Sequence, residues 1–487
     1  MFKKLLFLGI FSLTFSVSAQ ISLMKDINTG SDDGNPTNFY VYNDVLYFYA
    51  EDETGTNTNG TDFGKELWVT DGTTEGTKYF GIDFRTGTSN GSLGNFLEFN
   101  EKLYFTAWDN AVAGSRIFES DGTVAGTLST NNGFSIFNPK VIGNKVYMSN
   151  TTGKTVVDSN NSFYEFDGTD FSAVPDSGNG FPQISGGNFS KLGDNLIILY
   201  MRYLVTDGAG GSTDANGSNF EPFVYNITNQ TYTLLADIDP GDENSSVSNL
   251  TELNNKVYFE AEGELWETDG TTTGTIKVSA AETANISGVS NLYAWNDTLF
   301  FEGNDNTSDQ LWVFNPALNT VTNISKIDGK DHNPVHFVAH NGYVYYAGEN
   351  DDSTTDYLYR TNGTTIEQLD NTTIADDLVV YQDAIYFEGE SSSDTGRELY
   401  KLDPSTLSIQ NVAFNSISIY PNPSKNKIYI SHNLSDELQF SISDINGKQL
   451  IKGNLIDKTI QHNLNSGIYL LTLITNSASK TQKIIVE

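Results

Sequence analysis

Residues 66–77 read Glu66-Leu67-Trp68-Val69-Thr70-Asp71-Gly72-Thr73-Thr74-Glu75-Gly76-Thr77, and the phrase returns. Residues 264–275 read ELWETDGTTTGT, nearly the same twelve letters, and residues 116–127 read RIFESDGTVAGT, a looser copy. The first half alternates as a short strand, with Leu67 and Val69 on one face and Glu66, Trp68 and Thr70 on the other. The second half is its exit turn. Asp71 can accept from backbone N–H groups just ahead of it, Gly72 can take positive φ, and Gly76 permits a second reversal. Such a unit cannot bury both faces alone, so the pattern predicts a stacked array of like units.

Working outward, a second motif fixes the count. Short aromatic–aliphatic strands follow Asn- or Gly-rich turns at Leu46-Tyr47-Phe48, Leu103-Tyr104-Phe105, Val146-Tyr147-Met148 and Leu196-Ile197-Ile198. They recur at Val257-Tyr258-Phe259, Leu299-Phe300-Phe301, Val344-Tyr345-Tyr346 and Ile385-Tyr386-Phe387. Each has a strand upstream, the Glu-Leu-Trp-like strand downstream, and a fourth beyond that strand's turn. Four short antiparallel strands per unit, with no helical periodicity, predict an all-β, eight-bladed β-propeller over residues 20–413. The third-strand exits drift from Asp-Gly to Asn-Gly, Asn-Pro and Asp-Pro. Every version forms a turn, so the repeats share a reversal and not a reactive group. Ile21–Ile27 resembles the fourth strands yet precedes the first unit. It is therefore expected beside Glu398–Leu402, closing the ring by strand exchange. Trp68 and Trp266 are expected to be structural, packed between neighbouring blades.

Charge divides the chain. Residues 20–413 carry 57 acids against 18 bases, a net of −39, whereas 414–487 carry seven lysines against five acids. The acidic body repels phosphate backbones, which argues against nucleic acid as a partner. There is no cysteine, which excludes disulfides and thiol chemistry. Lys3 and Lys4, an apolar run to Val17 and the small residues Ser18-Ala19 predict a cleavable signal peptide at 1–19. That run is short of the ~20 residues of a membrane span, and the mature chain is expected to have no transmembrane segment.

After Asn411 the pattern changes to lysine-bearing alternating strands that predict a small Ig-like β-sandwich over 414–487. Pro421 and Pro423 cannot donate to a ladder, so they mark an edge or an entry turn. Asp444–Lys448 reads as a hairpin turn.

Two resemblances follow from these residues. Residues 66–73 and 264–271, with weaker copies over 20–413, are similar to the ELWxxDGT-repeat β-propellers of exported bacterial proteins, which supports the fold and implies no single activity. The tail resembles the type A C-terminal sorting domain of the type IX secretion system. The likeness rests on Tyr420, Pro421, Asn422 and Pro423, on Asn446 with Gly447 and Lys448, on Leu464 with Ser466, Gly467, Ile468 and Tyr469, and on the closing stretch from Lys483. It implies the Sec machinery and the outer-membrane type IX apparatus as partners. It also implies a route through the periplasm of a Gram-negative bacterium to the medium or the outer-membrane surface, with possible attachment to lipopolysaccharide after tail cleavage.

Candidate chemistry is sparse. Asp71, Asp121, Asp167 and Asp269 read as turn formers one per blade, too far apart to act together. His332, His336 and His340 recur every four residues, but the alternation of Val335, Phe337 and Ala339 places them around a strand, where that spacing does not converge on a metal. Oxygen-rich loops at 237–244, 304–309 and 349–356 suit calcium, with Asp237, Asp239 and Asp242 the weak candidates, although none follows the twelve-residue calcium-loop pattern. Otherwise no cofactor is expected. No nucleophile elbow, zincin helix, phosphate loop or dinucleotide fingerprint is present, nor are the boxes of sialidase-type propellers, so no catalytic residue is assigned. The reading is a secreted or cell-surface binding protein for a glycan, a peptide or a surface partner. The alternative is a secreted, glycan-active hydrolase or lyase using paired carboxylates at the propeller's central mouth.

Overall fold

In a computed structural model the described residues are 21–404 and 418–487, apart from 59, 131–135, 150–161, 178–179, 207–211, 215–218, 242, 328, 351–352, 393, 432–437, 445–447, 456–457 and 475–478. The signal peptide expected at 1–19 lies outside them. Two compact units emerge, one of residues Ile21–Leu402 and one containing Asp403–Glu487.

The first unit is built almost wholly of antiparallel meanders. Thr37–Tyr42, Val45–Glu51, Lys65–Thr70 and Lys78–Tyr79 form the first. Like groups start at Gly94, Phe137, Gly180, Ser248 and Ser287. The last two groups, starting at Val335 and Ile374, join into one eight-stranded sheet through the single pair Tyr357↔Ile374. The first strands of successive groups lie against one another in cyclic order, and Ile374–Tyr381 returns to Thr37–Tyr42. The unit is a closed ring, a β-propeller in which the first strand of each group faces the axis.

Each aromatic–aliphatic triplet is a second strand, buried on both faces because a blade is sandwiched between two others. Leu46, Tyr47, Phe48, Tyr49 and Ala50 are at most 2% exposed. Tyr47 and Leu67 pack against Phe96 and Phe105 of the next group. Leu46, Phe48 and Trp68 pack against Tyr386 and Leu399 of the last. Ring closure follows the expectation. Ile21–Lys25 pairs antiparallel with Glu398–Leu402, from Ile21↔Leu402 to Lys25↔Leu399. One feature was not foreseen: the short helix Ser279–Thr283 stands after the strand Ile276–Lys277.

The second unit has two antiparallel sheets. Ser418–Tyr420, Lys427–Ser431 and Thr459–Gln461 form one, while Gln449–Asn454, Gln439–Asp444, Gly467–Ile474 and Ser479–Val486 form the other. Ile428, Ile430 and Ile460 from the first share a core with Phe440, Ile442, Leu471, Leu473 and Ile484 from the second, the packing of a β-sandwich.

Candidate functional site

The repeated turns are held by their own side chains. Asp71 Oδ1 accepts from the Thr73 N–H at 2.9 Å and its hydroxyl at 2.7 Å. Asp121 and Asp269 do the same with Thr123 and Thr271. These bonds hold all three carboxyls below the usual range. A Cβ on Gly76 would sit 1.9 Å from Asp71 Oδ1, so glycine is required for this close approach.

The glutamate that opens the phrase has a second task. Glu66 is buried and accepts from the Phe84 and Arg85 N–H groups at 3.3 and 3.4 Å. It thereby holds the loop that leads into the next blade. Glu221 accepts from Ile238 at 3.0 Å, and Glu398 from Ile27, Asn28 and Gly34 at 2.7, 3.2 and 3.0 Å. Gln310 fills the equivalent place, with its Oε1 accepting from Ile327 at 3.0 Å. Burial pushes Glu66 and Glu398 up to about 8 and Glu221 up to about 7. These three carboxyls are loop staples, each in a different blade.

A different arrangement lines the axis. Each first strand slips register against its second strand through a β-bulge, and one residue type dominates within the slip. The eight equivalent positions are Asn38, Asn95, Asn138, Asn188, Asn249, Asn291, His336 and Asp377. Six of them have φ between 44° and 57°: Asn38, Asn138, Asn249, Asn291, His336 and Asp377. Asn tolerates that left-handed conformation, and His and Asp are next best. At three of the eight positions the amide reaches the following blade. Asn95 Nδ2 donates to Ile136 O at 3.0 Å, Asn138 to Phe189 O at 3.2 Å and Asn188 to Val247 O at 3.2 Å.

At the last two blades this neutral lock becomes ionic. His336 Nε2 lies 2.7 Å from Asp376 Oδ1 on the next blade. Arg397 Nη1 is 3.7 Å from Asp376 Oδ2 and 3.1 Å from Glu388 Oε1. Asp377 Oδ2 accepts from the Asn38 N–H at 2.6 Å across the closing seam. The bond to Asp376 raises His336 and lowers Asp376. Burial, with Glu349 and Asp376 nearby, pushes Asp356 up to about 6, and burial also raises Asp377 and Glu388. The His336, Asp376 and Arg397 side chains remain more than a third open to solvent. An accessible site thus holds one carboxylate kept ionised beside another that burial raises to about 6.

The three histidines part company. His332 is fully buried, its Nδ1 2.6 Å from Glu349 O and its Nε2 3.0 Å from the Tyr346 hydroxyl, and burial lowers it to about 4. His340 meets Asn341, and His336 alone joins the ionic cluster. Sequence alone does not join His336 to Asp376, because the two lie 40 positions apart. The available signal was its place in the repeat, immediately before the residue that aligns with Phe39, Phe96 and Phe189.

Of the calcium candidates, Asp237 and Asp239 flank the Ile238 amide that Glu221 holds, and Asp242 lies outside the described residues. Among the described residues no three His, Asp or Glu side chains group in a way that could hold a metal ion. Nor is any helix there long and apolar enough to cross a membrane.

In the tail, Tyr420 is exposed and stacks on Tyr429 at 5.7 Å. Asn422, between Pro421 and Pro423, bonds the closing strand, its Oδ1 accepting from Ile485 N–H at 2.8 Å and its Nδ2 donating to Lys483 O at 3.1 Å. Gly467 pairs with Val486, Tyr469 donates to Asn465 O at 2.9 Å, and Lys448 N–H donates to Asp444 at 3.0 Å. Gly447 lies outside the described residues.

No curated protein matches the chain. Among solved structures, it is similar to the β-propeller domain of the Trilobed protease from Pyrococcus furiosus, at 10% identity and a TM-score of 0.41, covering 71% of this chain and 97% of that one. It is similar to an oligogalacturonate lyase in complex with manganese at 10% identity and a TM-score of 0.42, covering 77% and 99%. Puromycin hydrolase gives 10% identity and a TM-score of 0.39 over 76% of this chain, which spans 61% of that enzyme's length. Residues 418–487 match the family model described as the secretion system C-terminal sorting domain, so the tail is a signal for export.

Proposed function

We propose that this is an eight-bladed propeller exported by the type IX secretion system and acting outside the cell as a binding protein. The sorting-domain match at 418–487 carries the reading. In this reading the signal peptide at 1–19 engages the Sec machinery. The chain then crosses the periplasm, and the outer-membrane apparatus takes it out with residues 414–487 as its address. Release into the medium or attachment to surface lipopolysaccharide follows. Residues 20–413 are the working domain, with the eight-stranded sheet counted as two blades. Deleting 414–487 tests the export arm, with a folded propeller expected in the periplasm and none in the medium or on the surface.

The mouth cluster around His336, Asp376, Asp356 and Arg397 is the binding site in this reading, and a glycan, a peptide or a surface partner is its ligand. A glycan-array screen of the tail-less protein, with and without calcium, tests it. Binding lost in Asp376→Asn supports the site, and unchanged binding moves it elsewhere.

One observation favours the second reading, a secreted carboxylate-dependent hydrolase or lyase. Asp356, near 6, and Asp376, held ionised, form the kind of divided pair that general acid–base chemistry uses. Turnover of a polysaccharide that disappears in both Asp356→Asn and Asp376→Asn would establish it.

A further inference from the structure

We propose that the export signal in the tail is a folded joint and not a linear string, and that Ser424 and His462 are the positioning residues that hold it. The proposal rests on the export reading above. The closing strand Ser479–Val486 is the edge of its four-stranded sheet, and an unpaired edge is a liability that needs cover. Pro421 and Pro423 cannot donate to a ladder, so their stretch cannot supply an ordinary added strand. Instead Asn422 and Ser424 make a short parallel contact at the strand's end. Ser424 N–H donates to Ile485 O at 2.8 Å, Glu487 N–H donates to Ser424 O at 2.9 Å, and Ser424 bridges Val486 in parallel. With the two Asn422 bonds at 2.8 and 3.1 Å, four hydrogen bonds join segments about sixty residues apart.

Behind this contact stands a buried pair. Ser424 is 2% and His462 4% exposed, with Oγ and Nε2 2.9 Å apart. Among the described residues His462 Nδ1 is buried without a partner, and burial lowers the ring's affinity for a proton. The neutral tautomer with its proton on Nε2 therefore donates to Ser424 Oγ and leaves only a lone pair unmet, which costs less than a buried orphan N–H. His462 N–H also donates to Asn426 O at 2.9 Å. Thus the strand Thr459–Gln461 fixes Ser424, and Ser424 fixes the end of the chain. Tyr420 and Lys483 stay exposed on the two segments so joined, as a composite recognition surface requires.

The test uses the full chain in a bacterium that runs this secretion system. The readouts are the exported-to-periplasmic ratio and amide exchange at Ile485 and Glu487 of the purified protein. Ser424→Ala should lower the ratio about tenfold, the worth of one buried hydrogen bond, and speed exchange at both amides. Ser424→Thr, which keeps the hydroxyl, should restore both. Asn422 is exposed, so Asn422→Ala should spare folding and still lower export. Normal export of Ser424→Ala and Asn422→Ala, beside retention of a chain lacking 418–487, would overturn the joint and leave the export reading standing. Export of that deleted chain would overturn the reading itself. Failure of Ser424→Thr despite normal exchange at Ile485 would also count against the joint.

Discussion

Residues 66–77 and 264–275 differ at only two of twelve positions, and the structure treats their two halves differently. Their turns are the same. Thr70 and Thr77 share a 2.7 Å hydroxyl bond, and so do Thr268 and Thr275. Their strands are not the same. Glu66 and Trp68 are each 1% exposed, whereas Glu264 and Trp266 are both part-exposed. The cause lies downstream. After Thr77 the chain folds its Phe84–Arg85 loop back onto Glu66. After Thr275, Ser279–Thr283 coils as a helix, a choice its Ala280, Ala281 and Glu282 favour. Glu264 then has no loop amide to hold and pairs with Lys277, whose ammonium lies 5.7 Å from the Trp266 ring. A turn is specified by its own letters, and burial by what packs on them.

The largest test of that contrast is the indole. Trp68→Ala should cost about 4 kcal/mol, a large-to-small change in a sealed core, and Trp266→Ala about half as much. Denaturant midpoints of the two variants check this. Equal losses would mean that the phrase itself, and not its surroundings, sets the worth of the strand.

The carboxylates come next. Glu66→Ala should cost on the order of 3 kcal/mol by leaving two loop amides unmet, whereas Glu264→Ala, at an exposed ion pair, should change stability by less than about 0.5 kcal/mol. Glu66→Gln should be milder than Glu66→Ala, because Gln310 holds its own loop with an amide. Acidity adds a signature. Glu66 is raised from 4.5 to about 8, so the folded state binds the extra proton. Its contribution is complete below about pH 4.5 and is lost as pH rises through about 8. Glu66→Gln should therefore flatten the stability profile across that window. An unchanged slope would mean the carboxyl is ionised throughout.

The same contrast explains what the sequence disclosed. Second strands such as Leu46–Phe48 announce themselves because both faces are apolar, and Ile21–Ile27 announced ring closure because an outer strand stood where none was due. Trp266 packs between blades as expected, beside Tyr200 and Phe259, but only in part, and a local match says nothing about the helix that follows. The mouth cluster was missed because His336 and Asp376 meet only when the ring brings successive first strands together. The asparagine ladder that would have exposed His336 and Asp377 as departures is visible only once the bulges align it.

The smallest expected effect is the sharpest check on locality. Asp71→Asn and Asp269→Asn should each leave stability almost unchanged, and the two melting midpoints should shift alike. Both carboxylates are exposed and accept from the threonine two residues on, with matching N–H distances of 2.9 Å. An amide oxygen can take the same bond. Asn362 does so in the Asn-Gly version of the turn, accepting from Thr364 N–H at 3.0 Å and from its hydroxyl at 2.7 Å. The lost charge matters little where water screens it. Parallel thermal melts of the two variants decide the point. A clear gap between the two midpoints would show that the neighbouring blade helps to form the turn, and the division between local turn and imposed burial would then fail.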